Sequence, residues 1–321
     1  MSDSLAFNNE TLLYNNQYEL YLDNTYNPLN LPPYTIRLRY KSGVTPTFDK
    51  GTAVRVSSSP NVWDLTYTNS NWNKLLEAHT DLLEIICANT TGVTIMSHLC
   101  FGCDYLEAVP EWGFDTSLVT DMSFMFGFCD LTRLPLFDTS NVTNMQSMLP
   151  HNYNLTYVPL LNTQNVTNFV GLFVHCHSLT NIPVFNTSNG TNFANMFGFC
   201  TSLTNVPLID TSNATDVHGL FDHTPITSMP DLDTSNATDM SDMFAYCSEL
   251  TSIRLYNTSK VNNVETMFDH CTKVSSGALA FYQQLATQAV PPTNHKWTFR
   301  ECGSDTVTGA AELAQIPSDW K

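Results

Sequence analysis

Between residues 89 and 274 the apolar positions recur with a period much longer than that of a helix or a strand. The segment Asp138-Thr139-Ser140-Asn141-Val142-Thr143-Asn144-Met145 returns, with drift, from Asn89, Asp115, Asp138, Asn162, Asn186, Asp210, Asp233 and Asn257, at spacings of 26, 23, 24, 24, 24, 23 and 24 residues. Counted from this Asp/Asn anchor, the fourth residue is small or branched (Val142, Val166, Gly190, Ala214). The seventh is Met, Phe or Val, the tenth Leu or Met, and the eleventh mostly Phe. Offsets 4, 7, 10 and 11 share one face of a helix, so a short helical turn is predicted after each anchor, with the Asp or Asn as its N-cap. Before the anchors, runs such as Leu134-Pro135-Leu136-Phe137 and Val206-Pro207-Leu208-Ile209 predict short strands.

Eight such copies predict coils stacked one on the next. The expected fold is an α/β repeat of leucine-rich-repeat geometry: a solenoid with a parallel β-sheet on one face and short helical turns on the other. A single coil has nothing to bury its apolar rows against. Stacking joins them into one core, where each buried large side chain contributes about 1.5–3 kcal/mol. Alternation along the predicted strands assigns Leu134/Leu136, Val158/Leu160, Ile182/Val184 and Val206/Leu208 to that core. The opposite face, five residues before the anchor, carries Arg133, Tyr157, Asn181, Asn205, Ser228 and Ser252, which vary from copy to copy and form the candidate ligand-binding face. Phe137, Leu161, Phe185, Ile209 and Tyr256 share its parity, which requires either a bend at the proline or an exposed apolar stripe.

The flanks divide the rest of the chain. Residues 1–30 read as an N-terminal arm and 31–70 as a β-rich module, in which Arg37 and Arg39 are candidates for docking on an acidic partner surface. Residues 71–88 read as a capping helix and first turn, 89–274 as the repeat solenoid and 275–321 as a helical C-terminal cap. The C-terminal helices are expected over 276–286 and 310–315, where they would seal the open end.

Composition changes the picture in two ways. Lys plus Arg number 13 against 30 Asp plus Glu, a net charge of -17, so a phosphate backbone would be repelled and nucleic acid is not an expected partner. No apolar run is long enough for a transmembrane helix, so no membrane insertion is expected. The N-terminus shows neither a basic nor an apolar signal region, which leads to the expectation that the protein either stays inside its cell or leaves by a route that needs no signal.

Chemistry-bearing residues follow the repeat. Six of the nine cysteines (Cys103, Cys129, Cys176, Cys200, Cys247, Cys271) lie fourteen residues after an anchor, a phase also held by Asn152 and Thr224. Free buried thiols are the favoured expectation, with disulfides between neighbouring coils the alternative. His151, His175, His223 and His270 alternate with Phe128, Phe199 and Tyr246 at one phase, as a packing or surface row would. His175-Cys176-His177 lacks the partners of a zinc site, and the half-Asn anchors argue against calcium, so no metal or other cofactor is expected. The Asn-x-Thr triplets recur because the repeat does. No nucleophile elbow, phosphate-binding loop or paired acid is present, so the chain is not expected to be an enzyme.

The sequence Asp-Thr-Ser-Asn-Val-Thr-Asn-Met, followed by Met-Phe, Cys, Leu and Val-Pro-Leu-Phe, resembles the BspA-type leucine-rich-repeat surface proteins. The runs Pro60-Asn61-Val62-Trp63-Asp64-Leu65 and Ala311-Glu312-Leu313-Ala314-Gln315-Ile316-Pro317 are similar to leaderless proteins of gut bacteriophage virions. The resemblance implies a non-enzymatic recognition or adhesion protein. Its expected place is a virion, in the tail or head fibre, binding a host surface glycan or protein and meeting other virion proteins through its N-terminal region, with homo-oligomerisation left open. The alternatives are a structural decoration protein and a bacterial cell-surface adhesin.

Overall fold

A computed structural model describes residues 31–110, 114–206 and 208–321. The arm expected over residues 1–30 lies outside the described residues. The N-terminal part is a four-stranded antiparallel sheet of β1 (Thr35–Tyr40), β2 (Thr52–Ser58), β3 (Asn61–Thr66) and β4 (Leu82–Asn89), in the order β2-β3-β1-β4. Ile36, Leu38 and Tyr40 alternate inward along β1 and are buried.

From there the chain winds into stacked coils. One residue per coil, six after the anchor, pairs in parallel with its counterpart in the next. The ladder runs from Asn71 through Ile95, Asp121, Asn144, Asn168, Asn192, Asp216, Asp239 and Asn263 to Asn294. It therefore starts one coil before the first sequence copy and ends one coil after the last. The capping helix expected over residues 71–88 is absent: residues 71–79 form the first coil and residues 82–89 are β4. β4 belongs to both parts. One edge pairs with β1, and Ile85 N–H on the other donates to the Ala108 carbonyl of the following coil at 3.3 Å.

Within the coils the expected helical turns and continuous parallel sheet are both replaced. Parallel pairing is limited to isolated bridges, and the segment after each anchor is a chain of turns. In the coil anchored at Asp138, the N–H groups of Met145, Ser147, Leu149 and His151 donate to the carbonyls of Asn168, Val170, Leu172 and Val174 in the next coil, at 2.7–3.2 Å. Met148 N–H instead folds back to Met145 at 3.2 Å. A helix would need all these donors for itself. Left-handed residues nine and thirteen after the anchor, here Ser147 (φ 47°) and His151 (φ 58°), turn alternate peptides outward towards the neighbour.

The apolar columns meet as the period requires. Phe173, Phe197, Phe221, Phe244, Phe268 and Phe299 form a fully buried stack with centroids 5.6–6.0 Å apart. Buried polar groups are met from coil to coil. Thr139, Thr163, Thr187, Thr211 and Thr234, each one residue after an anchor, donate to the next anchor's carbonyl at 2.7–3.0 Å. The triplet residues Asn141, Asn165, Asn189, Asn213 and Asn236 donate to a Ser or Gln carbonyl of the preceding coil at 2.7–2.8 Å. All nine cysteines are free, buried thiols. Those at the shared phase donate to the preceding coil's backbone, as Cys200 does to Phe173 at 3.2 Å; Asn152 replaces this bond with one to Phe126 at 2.7 Å.

At the far end α1 (Ala278–Thr287) and α2 (Val307–Gln315) flank the last coil, and a 3-10 turn, Ser318–Trp320, closes over it. Trp320 packs edge-on against Tyr282 and accepts a hydrogen bond from Phe299 N–H through its carbonyl at 2.9 Å.

Candidate binding surface

The anchors are Asx turns and not helix caps. One carboxylate oxygen of Asp138, Asp210 and Asp233 accepts the backbone N–H two residues on, at 2.9–3.0 Å. The Ser140, Ser212 and Ser235 hydroxyls and N–H groups hold these three exposed carboxyls below the usual carboxylate range.

The residues singled out five before the anchor occupy an exposed row. Tyr157, Asn181, Asn205, Ser228 and Ser252 are exposed, while Arg133 is half-buried. Arg133 and Tyr157 meet directly: they bridge in parallel, with the guanidinium 5.5 Å from the phenol ring. Ser252 bridges Ser276, and no bridge forms at Asn181, Asn205 or Ser228 among the described residues, so the row is not the face of a continuous sheet.

Three residues further on, the core assignment is corrected. Leu136, Leu160, Val184 and Leu208 are 62–70 % exposed, whereas Phe137, Leu161, Phe185, Ile209 and Tyr256 are buried. Leu134 and Pro135 face inward in succession, as do Val158 and Pro159, and this shifts the alternation by one. Proline, with a fixed φ and no N–H, suits such a break. Of the two alternatives in the sequence it is the bend that occurs: Phe137 and its equivalents are buried, and the exposed stripe is formed by the residues assigned to the core. The stripe residues are the ones that sequence reasoning missed; the one available signal was the parity conflict at Phe137. Beside Val184 and Leu208 an open groove of about 560 Å³ continues to Asp210, Asp231 and Asp233.

Arg37 and Arg39, the candidate docking residues, are both ion-paired within the sheet. Arg37 holds Asp64 of β3 in a two-pronged pair at 2.6 and 2.7 Å, and Arg39 holds Glu84 of β4 at 2.7 Å. Each cation lies opposite its carboxylate in the sheet register and is neutralised there.

A third column, thirteen residues after the anchor, is a pile of rings: Phe128, His151, His175, Phe199, His223, Tyr246 and His270, with centroids 4.2–4.6 Å apart. Burial and the neighbouring His151, His177 and His223 push His175 down to about 4. Burial pushes Asp222 up to about 6 against the opposing pull of His223. Among the described residues no group of His, Cys, Asp and Glu is arranged to hold a metal ion, and no helix is long and apolar enough to cross a membrane.

Three overlapping stretches, residues 71–156, 129–228 and 205–290, match the family model DUF285, described as Mycoplasma protein of unknown function. Together they take in more than half of the chain, beginning at the first bridge residue Asn71, and the chain belongs to this family. Among solved structures, a leucine rich cell surface protein from Faecalibacterium prausnitzii is 13% identical over 77% of this chain and 85% of that one, with a TM-score of 0.27. A comparison with curated proteins finds no match.

Proposed function

We propose that the chain is a non-enzymatic recognition protein, a leucine-rich-repeat adhesin of the BspA kind displayed on a cell or particle surface, which binds a partner along its coil stack. The carrying observation is the uninterrupted exposed row Leu136, Leu160, Val184 and Leu208, beside the polar row that includes Arg133 and Tyr157. Four large apolar side chains kept in solvent at successive coils have no role in the core, and contiguous apolar surface of this kind marks an interaction site. A host surface protein or glycan is the partner this reading takes. The test is saturable binding of the fluorescently labelled full chain to intact cells, by flow cytometry, with a Tyr157→Ala/Arg133→Ala double variant and a Leu160→Glu variant alongside. Loss of binding in these variants, with unchanged thermal unfolding, supports the reading; binding that none of them affects overturns it.

A second reading, assembly into a virus particle through the N-terminal region, is favoured by Val54 and Val56, which are 61% and 40% exposed on the edge strand β2. It predicts co-assembly with another particle protein that Val54→Lys abolishes.

A further inference from the structure

The stripe and its acidic margin together specify a partner. We infer that the row Leu136–Leu160–Val184–Leu208 is a docking track for a cationic amphipathic α-helix of a partner protein, an inference that rests on the recognition reading above.

Spacing selects a helix. The coils are joined by the bridge ladder six residues after each anchor, where hydrogen-bonded chains lie about 4.7–4.9 Å apart, so four coils stacked at that spacing span about 14 Å. Residues i, i+3, i+7 and i+10 of a helix form one apolar stripe and, at about 1.5 Å per residue, span about 15 Å. Same-face residues of an extended strand recur about every 6.8 Å, so four of them span about 20 Å and fall out of step with the rungs. A helix laid along the stack keeps one apolar side chain over each rung, the helix-in-groove mode of recognition.

Charge selects the sign. The groove at Val184 and Leu208 runs on to Asp210 and Asp233. Each of these uses one carboxylate oxygen in its own Asx turn, and the second has no partner among the described residues. The next rung, Asp231, ends the uninterrupted row and pairs with Arg254 at 2.9 Å. With a net charge of -17 on the chain, a second copy would be repelled, whereas Lys or Arg flanking the apolar face of a helix would be drawn to the aspartates gathered at the Leu208 end of the track, Asp210 and Asp233.

The test uses the full chain and three synthetic peptides of about 18 residues, long enough for a helix to be populated. One has leucine at i, i+3, i+7 and i+10 with lysine flanks; the second replaces lysine by glutamate; the third alternates leucine and lysine as a strand would. Fluorescence anisotropy should show binding of the first alone. That binding should weaken at least tenfold in Leu160→Glu and in Val184→Glu, whose unfolding curves stay those of the parent. Asp210→Asn combined with Asp233→Asn should weaken it and flatten its salt dependence. Equal binding of the alternating peptide, or unchanged binding to the stripe variants, overturns the inference. A dimer in sedimentation velocity that Leu160→Glu dissociates also overturns it, by placing a second copy on the track. Cell binding without peptide binding removes this inference and leaves the recognition reading standing; absence of both removes both.

Discussion

The imidazole of His151 lies flat on that of His175, with centroids 4.3 Å apart and planes 18° apart. Two rings this close share a stack while neutral and repel when both carry a proton. His177 stands edge-on to His175 at 5.7 Å, and Phe199 covers its other face at 4.3 Å. Near neighbours on the column include His223 with its carboxylate partner Asp222 at 2.6 Å.

Acid should therefore loosen the column at His175. Its folded value, about 4, lies below the ordinary 6.5, so the unfolded chain binds more protons between these limits. The contribution is intact above pH 6.5 and is lost as pH falls towards 4. Asp222, raised to about 6, acts with the opposite sign and gains stability on protonation, so the parent protein's own profile mixes the two. The His175→Phe variant isolates the first, because Phe128 and Phe199 already hold the same left-handed phase. Its Tm minus that of the parent should grow as pH is lowered from 6.5 to 4; a difference independent of pH would contradict the assignment.

Gly190 and Phe193 exchange volume. A Cβ on Gly190 would sit 2.3 Å from Phe193 Cζ and 3.0 Å from Phe169 Cε2. The coil anchored at Asp138 carries Val142 and Met145 at these two phases. Gly190→Val should destabilise by about 1–3 kcal/mol through overpacking. Adding Phe193→Met should recover part of that loss, a coupling measurable by urea unfolding of the two single variants and the double variant.

The threonine ladder offers an internal comparison. Thr163 donates its hydroxyl to Asn186 at 2.7 Å, whereas the equally buried Thr116 hydroxyl has no partner among the described residues. Thr163→Val should cost about 1–3 kcal/mol, since it leaves a carbonyl unmet. Thr116→Val should be neutral or stabilising, because it removes a desolvated hydroxyl. Equal losses at both positions would show that the ladder hydrogen bonds contribute little.

Thiol chemistry should be silent in the folded state. Burial pushes Cys200 and Cys247 up to about 12, and all nine sulfurs are enclosed. Ellman titration should find nine thiols per chain in denaturant and almost none under native conditions. Fewer than nine in denaturant would mean that disulfides had formed between coils.

Much of the repeat was legible because stacking forces equal phases into equal surroundings. The Phe221 and Cys200 columns and the buried Val142 phase could be placed from period alone. The backbone between them could not. Offsets 4, 7, 10 and 11 suit a helix, and they also suit a chain of turns whose N–H groups reach the next coil. The choice depends on left-handed conformations at residues such as Phe128, His151 and Tyr246, which nothing in their chemistry announces. The first and last coils escaped because they lack the Asp-Thr anchor; Gln288 stands where the last anchor would be and accepts the Thr258 hydroxyl at 2.9 Å. The stripe was misplaced because alternation was carried through Pro135 and Pro159, where two successive residues turn inward.

Both terminal structures are built against the coils nearest to them: β4 and the sheet meet the first coils through His79 and Ala108, and the C-terminal cap meets the last ones through Thr258, Val274 and Phe299. Reach is thus an adjustable quantity: excising one 24-residue unit, for instance residues 162–185, would shorten the molecule by one increment and leave both termini sealed. Duplication and loss of such units in a gene would grade the protein's length without redesigning its ends.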